Sequence, residues 1–289
     1  MIITLRDEVE KTAVNVAKTL IKHHRLIYGV GPDQRLDPVG SGLLLRVGSS
    51  HFLVTAAHVL DENTQSPDSF CDLVTYGQRL PVILQGASFR TTIAEGKTRE
   101  DDPLDVGFIE LPDAQVAQLG VDRFLEPSQI DLNDKGDSPA LYGAFGYPAS
   151  LNYSIEPDWE SPVNPTPFSY TSQLRSSAAH VELGVSQATH LVLAASNRKT
   201  RAPGGRKVKL PDLRGMSGGG FWRYTEYGQA NPVKAPCLLG VLIERRRCKD
   251  GGILAARMNL VFEALRKAYP ALDPFLPRSE IADITVTMV

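Results

Sequence analysis

The sequence predicts an all-β chain of barrel type, with a helix ahead of the strands and another after them. Three observations carry this. Short apolar segments follow one another with turn residues between them, the pattern of curled antiparallel sheets rather than of a parallel sheet. The 289 residues include 24 glycines and 20 prolines, which fits a turn-rich architecture. The two longest segments with helical character stand near the two ends.

The first of these covers residues 4–24. Val9, Ala13, Val16, Ala17, Leu20 and Ile21 recur at helical spacing and make one apolar stripe. The stripe implies a helix packed on the barrel surface, with His23 and His24 as solvated residues at its C-terminal end. A docking or regulatory partner on this helix is the alternative use of the same stripe.

Residues 38–112 follow as a first β unit, with strands expected at 42–47, 51–55, 71–75, 79–84, 88–94 and 105–111. Residues 113–137 read as a linker holding a short helix, Ala114 to Leu119. A second unit starts near Ala140, and strands are expected near 168–174, 178–183 and 190–195. His180 and His190, in or beside these strands, read as hydrogen-bonded structural histidines. Residues 151–167 hold Pro157, Pro162, Pro165 and Pro167 and read as an irregular surface loop. Between 197 and 209 stand Arg198, Lys199, Arg201, Arg206, Lys207 and Lys209, a basic run that either forms a solvated loop or borders a cleft. No aromatic residues interleave it as a nucleic-acid surface would require. Asn259 to Lys267 is helical in pattern. The end, Ile284 to Val289, alternates and admits two readings, an edge strand or a tail.

Bulk composition excludes several classes of function. Apolar content of 42% and charged content of 22% are ordinary for a globular chain. A net charge of −2 gives no general attraction to nucleic acid or membrane surfaces. Three cysteines, Cys71, Cys237 and Cys248, are too few and too odd for a disulfide-stapled secreted domain. Cys237 and Cys248 either pair across a hairpin or stay free thiols. No Cys/His cluster has zinc spacing, so no metal is expected. Residues 1–25 carry early acidic residues and no long apolar run, unlike a signal peptide, and no segment approaches the ~20 apolar residues of a membrane span. The expected setting is cytoplasmic.

The chemistry-bearing stretch is Gly215-Met216-Ser217-Gly218-Gly219, ahead of the apolar strand Cys237 to Ile243. Glycines around a serine leave backbone N–H groups open to an oxyanion and let a peptide come close. A serine is a weak nucleophile and needs a base, and the base needs an orienting group. Upstream, Phe52-Leu53-Val54-Thr55-Ala56-Ala57-His58 places His58 just past a strand. Asp105-Val106-Gly107-Phe108-Ile109 places a carboxylate at the head of another. Asp102, in the charged loop before it, is the alternative orienting group.

Thr55-Ala56-Ala57-His58, Asp105 to Ile109, Gly215 to Gly219 and Gly251 to Met258, in that order, resemble the motifs of the trypsin-like (chymotrypsin-fold) serine peptidases of bacterial type. The resemblance covers residues 38 to 270. It implies two six-stranded antiparallel β-barrels, about 38–112 and 138–258, and a closing helix at about 259–270. The peptidase domain is then 31–275, between an N-terminal helical segment 1–30 and a tail 276–289. It implies an endopeptidase with His58, Asp105 and Ser217 as triad, no cofactor, and a protein or peptide as substrate. The backbone N–H groups of Gly215 and Ser217 become the oxyanion hole. Ile243, Glu244 and Arg245 fall on the strand that pairs with substrate, where Arg245 replaces a glycine of wide-pocket members. The residue before the serine is Met216, where digestive members carry an aspartate that pairs with a freshly cut N-terminus. A trypsin-fold protein that binds without cleaving is the second reading. An esterase is the third, against which stands the absence of Gly-x-Ser-x-Gly around Ser217.

Overall fold

The computed structural model describes residues 5–32, 35–61, 72–77, 80–93, 95–99, 102–134, 140–153, 163–196, 200, 206–226, 235–246, 251–278, 281 and 284–288, with backbone only for 5–11, 225, 226 and 244–246. The first half runs α1 (Leu5–Leu20), β1 (His24–Val30), β2 (Leu36–Val47), β3 (Ser50–Ala56), α2 (Ala57–Asp61), β4 (Asp72–Tyr76), β5 (Pro81–Ile83), β6 (Ser88–Thr91), β7 (Val106–Glu110) and α3 (Asp113–Leu119). The second half runs β8 (Ala140–Gly146), β9 (Phe168–Ser172), α4 (Ser177–Leu183), β10 (His190–Ala194), β11 (Gly220–Glu226), β12 (Cys237–Arg246), β13 (Gly252–Arg257), α5 (Met258–Ala268) and β14 (Val286–Met288).

Two curled antiparallel sheets result. One has eight strands in the order β14-β6-β7-β3-β2-β1-β4-β5, the other six in the order β10-β13-β12-β11-β8-β9. Strands in the middle of each sheet are apolar on both sides because both are covered; every residue of β3 from Phe52 to Ala56 is buried. The main core lies between the sheets. Leu44, Phe52 and Phe108 from the first meet Trp222, Val241 and Leu254 from the second, and α5 adds Leu260, Val261 and Phe262. The architecture is the all-β one that the sequence predicts, two antiparallel sheets with a helix ahead of the strands and another after β13.

The first sheet exceeds the expected six strands by two. The C-terminal end supplies one: β14 pairs with β6 and covers that edge, Val286 opposite Thr91. The other is β1, which lies between β2 and β4. Here the expectation for the histidines is corrected. Helix α1 stops at Leu20 and His23 and His24 are buried, because the chain turns at 21–23 and enters the sheet. Valine, isoleucine and tyrosine in Leu26-Ile27-Tyr28-Gly29-Val30 favour that strand. Helix α1 itself buries Val16 and Leu20 and packs on β8, β9 and β11 of the second sheet.

A second correction concerns 178–183, which is helix α4 and not a strand. Gly184 closes it in the left-handed conformation, φ 67°, with its N–H on the carbonyls of His180 and Val181. His180 and His190 are buried and hydrogen-bonded as expected; His180 Nδ1 lies 3.2 Å from the Ser176 carbonyl and Nε2 3.3 Å from the His190 carbonyl. Cys237 is a free thiol. Cys71, Cys248, Arg198, Lys199 and Arg201 lie outside the described residues.

Candidate active site

Strand pairing puts the histidine beside its carboxylate. β3 runs antiparallel to β7 with Ala56 opposite Val106, so the residues just past the end of β3 meet those just before β7. Asp105 Oδ2 lies 2.7 Å from His58 Nδ1, and Oδ1 accepts the His58 backbone N–H at 2.9 Å. The Asp105 carbonyl takes the Ala57 N–H at 3.0 Å. A carboxylate on Nδ1 assigns the proton to that nitrogen and leaves the lone pair on Nε2.

Asp105 has φ 45°, the one non-glycine positive φ among the described residues. Aspartate tolerates this left-handed geometry better than most residues. Asp102 holds it there. Its Oδ2 accepts the Asp105 N–H at 3.1 Å, the Thr91 hydroxyl at 2.7 Å and Arg99 Nη1 at 2.5 Å, while Oδ1 accepts the Leu104 N–H at 2.9 Å. Arg99 also reaches Asp61 at 2.8 Å, and Arg90 pairs with the same Asp61. Asp102 is thus spent on the turn, and Asp105 is the carboxylate on the imidazole. From the second sheet, His190 Nε2 meets the Pro103 carbonyl in that turn.

The serine turn follows a different logic, in which the carbonyls of residues 214–217 are all tied inward. Arg214 O accepts the Ala149 N–H at 2.7 Å, Met216 O the Gly219 N–H at 2.9 Å and Ser217 O the Ser41 N–H at 2.7 Å. Gly215 O accepts the Ser41 hydroxyl at 2.7 Å. A peptide's N–H points opposite its C=O, so tying the carbonyls of 214 and 216 turns the N–H groups of 215 and 217 the other way. Those are the two N–H groups in the turn with no backbone acceptor among the described residues; 216, 218 and 219 donate to Leu213, Leu242 and Met216.

Gly215 and Gly218 both have φ 85°. A Cβ on Gly215 would stand 2.7 Å from the Ala149 nitrogen, and one on Gly218 would overlap the Ser41 carbonyl and the Thr55 hydroxyl. Glycine is required at both on conformation and on space. Met216 is 3% exposed among Leu210, Leu213 and Phe221. Behind the turn, burial pushes the Tyr147 phenol up to about 12, so it is neutral there.

The turn docks on the strand that leads to His58. Gly218 lies against Thr55, three residues before the histidine, and Ser217 O is held by Ser41 of the neighbouring β2. The Ser217 hydroxyl donates to the Ile243 carbonyl at 2.9 Å. Ile243 is buried and sits where the register between β12 and β13 slips. Glu244 and Arg245 continue β12 opposite Leu254 and Ile253, and their side chains lie outside the described residues. Nearby Asp212 and Arg214 form an exposed ion pair at 2.8 Å.

The residues not foreseen from sequence are Ser41, Thr91 and Arg99, which hold the site through others: Ser41 across 174 residues to Gly215, Thr91 and Arg99 through Asp102. Asp102, the alternative orienting group, and His190, a hydrogen-bonded structural histidine, hold the turn instead of the imidazole. Of the unforeseen three, Ser41 had a local signal, its place between two glycines.

No helix among the described residues is long and apolar enough to cross a membrane. No protein-family model matches the chain, and no curated protein matches it in sequence. Among solved structures, it is similar to the protease Anisep from Arthrobacter nicotinovorans, at 13% identity and a TM-score of 0.50, covering 86% of this chain and 96% of that one. A thermostable serine protease, AL20, from an extremophilic microorganism matches at 13% identity and a TM-score of 0.49, covering 88% and 99%. Neuropsin, a serine protease of the mouse limbic system, matches at 13% and 0.48, covering 86% and 93%. At this identity the likeness to Anisep is one of fold, and the two antiparallel sheets described above are the chymotrypsin fold.

Proposed function

We propose that the protein is a serine endopeptidase that hydrolyses peptide bonds through an acyl-enzyme, with His58, Asp105 and Ser217 as its triad. The observation that carries this reading is the pair of hydrogen bonds from Asp105 to His58, at 2.7 Å to Nδ1 and 2.9 Å to the backbone N–H. They fix the imidazole's plane and tautomer, which a base needs and an ordinary surface histidine does not have. In the reaction, Ser217 Oγ gives up its bond to Ile243 O and attacks the substrate carbonyl while His58 Nε2 takes its proton. Asp105 stabilises the imidazolium that forms. The N–H groups of Gly215 and Ser217 meet the oxyanion, each worth about 3–4 kcal/mol of barrier. His58 then returns the proton to the leaving amine, and a water repeats the sequence on the ester.

The reading extends to a cytoplasmic setting, which the free Cys237 thiol fits. A fluorophosphonate probe tests the core of it. Ser217 is expected to become labelled in the wild type, and neither Ser217→Ala nor His58→Ala is expected to take up the probe. A folded wild type that stays unlabelled, and cleaves no peptide in a library, is instead a binding protein on this fold.

A further inference from the structure

We propose that Ser41 is the positioning residue of the oxyanion turn, setting the Gly215 and Ser217 N–H groups in place. The inference rests on the peptidase reading above and adds a residue to it.

Ser41 is wholly buried in β2, a strand of the first sheet, while the turn it touches belongs to the second. All of its polar groups are spent. The hydroxyl donates to the Gly215 carbonyl at 2.7 Å and accepts the Tyr147 N–H at 2.9 Å. The backbone N–H donates to the Ser217 carbonyl at 2.7 Å. The carbonyl accepts the Thr55 hydroxyl at 2.7 Å. One residue therefore binds two of the four carbonyls of the 214–217 run. Through Tyr147 it also binds the segment whose Ala149 N–H holds a third.

The hydroxyl has no apolar substitute here. Without it, the Gly215 carbonyl and the Tyr147 N–H lose their shared partner in a buried place. The 215–216 peptide then keeps one anchor, the Met216 N–H on the Leu213 carbonyl at 3.0 Å, and loses the one on its carbonyl side, next to a glycine that imposes little torsional preference of its own. Rotation there misaims the two donors. A glycine would keep the backbone bond to Ser217 and lose the hydroxyl bridge. The flanking positions are already glycine for a reason of space: a Cβ on Gly40 would meet the Val59 side chain at 2.6 Å, and one on Gly42 the Leu53 side chain at 3.0 Å. Within this Gly-Ser-Gly run only the serine reaches the turn.

The test uses the full chain and a fluorophosphonate probe, whose phosphonyl oxygen occupies the oxyanion position on reaction. For Ser41→Ala the expected result is a second-order labelling rate lower by about 10²-fold, the scale of one lost oxyanion donor. The final stoichiometry and the pH midpoint of labelling are expected to match the wild type, because His58 and Asp105 are untouched. A purely structural role would lower the stoichiometry or the melting temperature and leave the rate of the folded fraction alone. Labelling of Ser41→Ala within threefold of wild type overturns the inference while leaving the peptidase reading intact; an unlabelled wild type removes that reading itself. If Ser41→Ala does not fold, Ser41→Thr and Ser41→Cys decide. Threonine keeps a hydroxyl and is expected to label at least tenfold faster than cysteine, a weak donor; equal rates overturn the proposal.

Discussion

The indole N–H of Trp222 donates to Nε2 of His24 at 3.3 Å, across 198 residues of sequence. On the other side, His24 Nδ1 lies 2.9 Å from the Leu20 carbonyl, so the ring is a neutral donor–acceptor bridge between the end of α1 and β11. Phe145 packs against the same ring with centroids 4.5 Å apart.

Burial without a counter-charge lowers the pKa of His24 from 6.5 to about 3. The sign follows directly. Below 6.5 the unfolded chain takes a proton at this residue and the folded chain does not, so stability falls as pH drops from 6.5 towards 3. The shift corresponds to an upper bound of about 5 kcal/mol at low pH, and to about 2 kcal/mol by pH 5. His24→Phe removes the titration. In urea unfolding at pH 7.5 and pH 5, the stability gap between wild type and variant is expected to shrink by about 2 kcal/mol at the lower pH. A gap independent of pH would show that His24 does not carry the effect.

Asp105→Asn separates charge from backbone. Asparagine tolerates φ 45° as well as aspartate does, so the turn survives while the carboxylate is lost. The expected result is a fall in kcat of about 10⁴-fold with an unchanged melting temperature. Asp102→Ala leaves the carboxylate of Asp105 and removes what holds it, with an expected loss in kcat of about 10²-fold and little change in KM. Equal kinetics in Asp102→Ala and wild type would mean that the 102–105 turn is held without Asp102.

Activity of the full-length chain is the expectation from Met216. An apolar side chain buried at that position cannot pair with a new N-terminus, and β1 is hydrogen-bonded on both sides within its sheet. Intact mass of probe-labelled protein is expected to be that of all 289 residues plus one adduct. Labelling confined to a form lacking its first residues would overturn this. Met216→Asp, which buries an unpaired carboxylate, is expected to cost several kcal/mol and to lower the melting temperature.

Arg245 sets the fourth expectation, a preference for small or acidic residues before the cleaved bond. The resemblance to the trypsin-like peptidases puts this position at the pocket mouth, where a side chain would narrow it and a positive charge would repel Lys and Arg substrates. Asp212, an acidic residue near the turn, is already paired with Arg214 at 2.8 Å. A peptide-library profile dominated by cleavage after Lys or Arg would sink the idea, and so would an unchanged profile in Arg245→Gly.

The three motifs were legible because each is a few adjacent residues whose geometry is local: a strand end before His58, a strand head at Asp105, glycines around Ser217. The six expected strands of the first unit appear for the same reason, an apolar run between turn residues. What escaped the sequence is what distance in the chain conceals. Nothing local in His24-Arg25-Leu26 says that Trp222 will cover the histidine, so its apolar environment read as solvent. Residues 178–183 carry Ala, His and Val in a mixture that alternates, and the helix is decided by Gly184 and by the burial of Ala179 and His180. β11 has no counterpart among the expected strands, since it begins at Gly220, directly after the serine turn. Asp102 read as the alternative orienting group in a charged loop, because nothing local says that Thr91, eleven residues back, and Arg99 will claim its carboxylate.

The attachment of α1 to the second sheet also dictates an order of assembly. The helix precedes all of the described strands in the chain, yet its resting place is built by β8, β9 and β11, the last of which ends at Glu226. Until that residue has left the ribosome, Val16 and Leu20 have no surface to cover them. The apolar stripe of α1 is therefore sheltered only after the elements that follow it, and a translation pause before β11 prolongs its exposure.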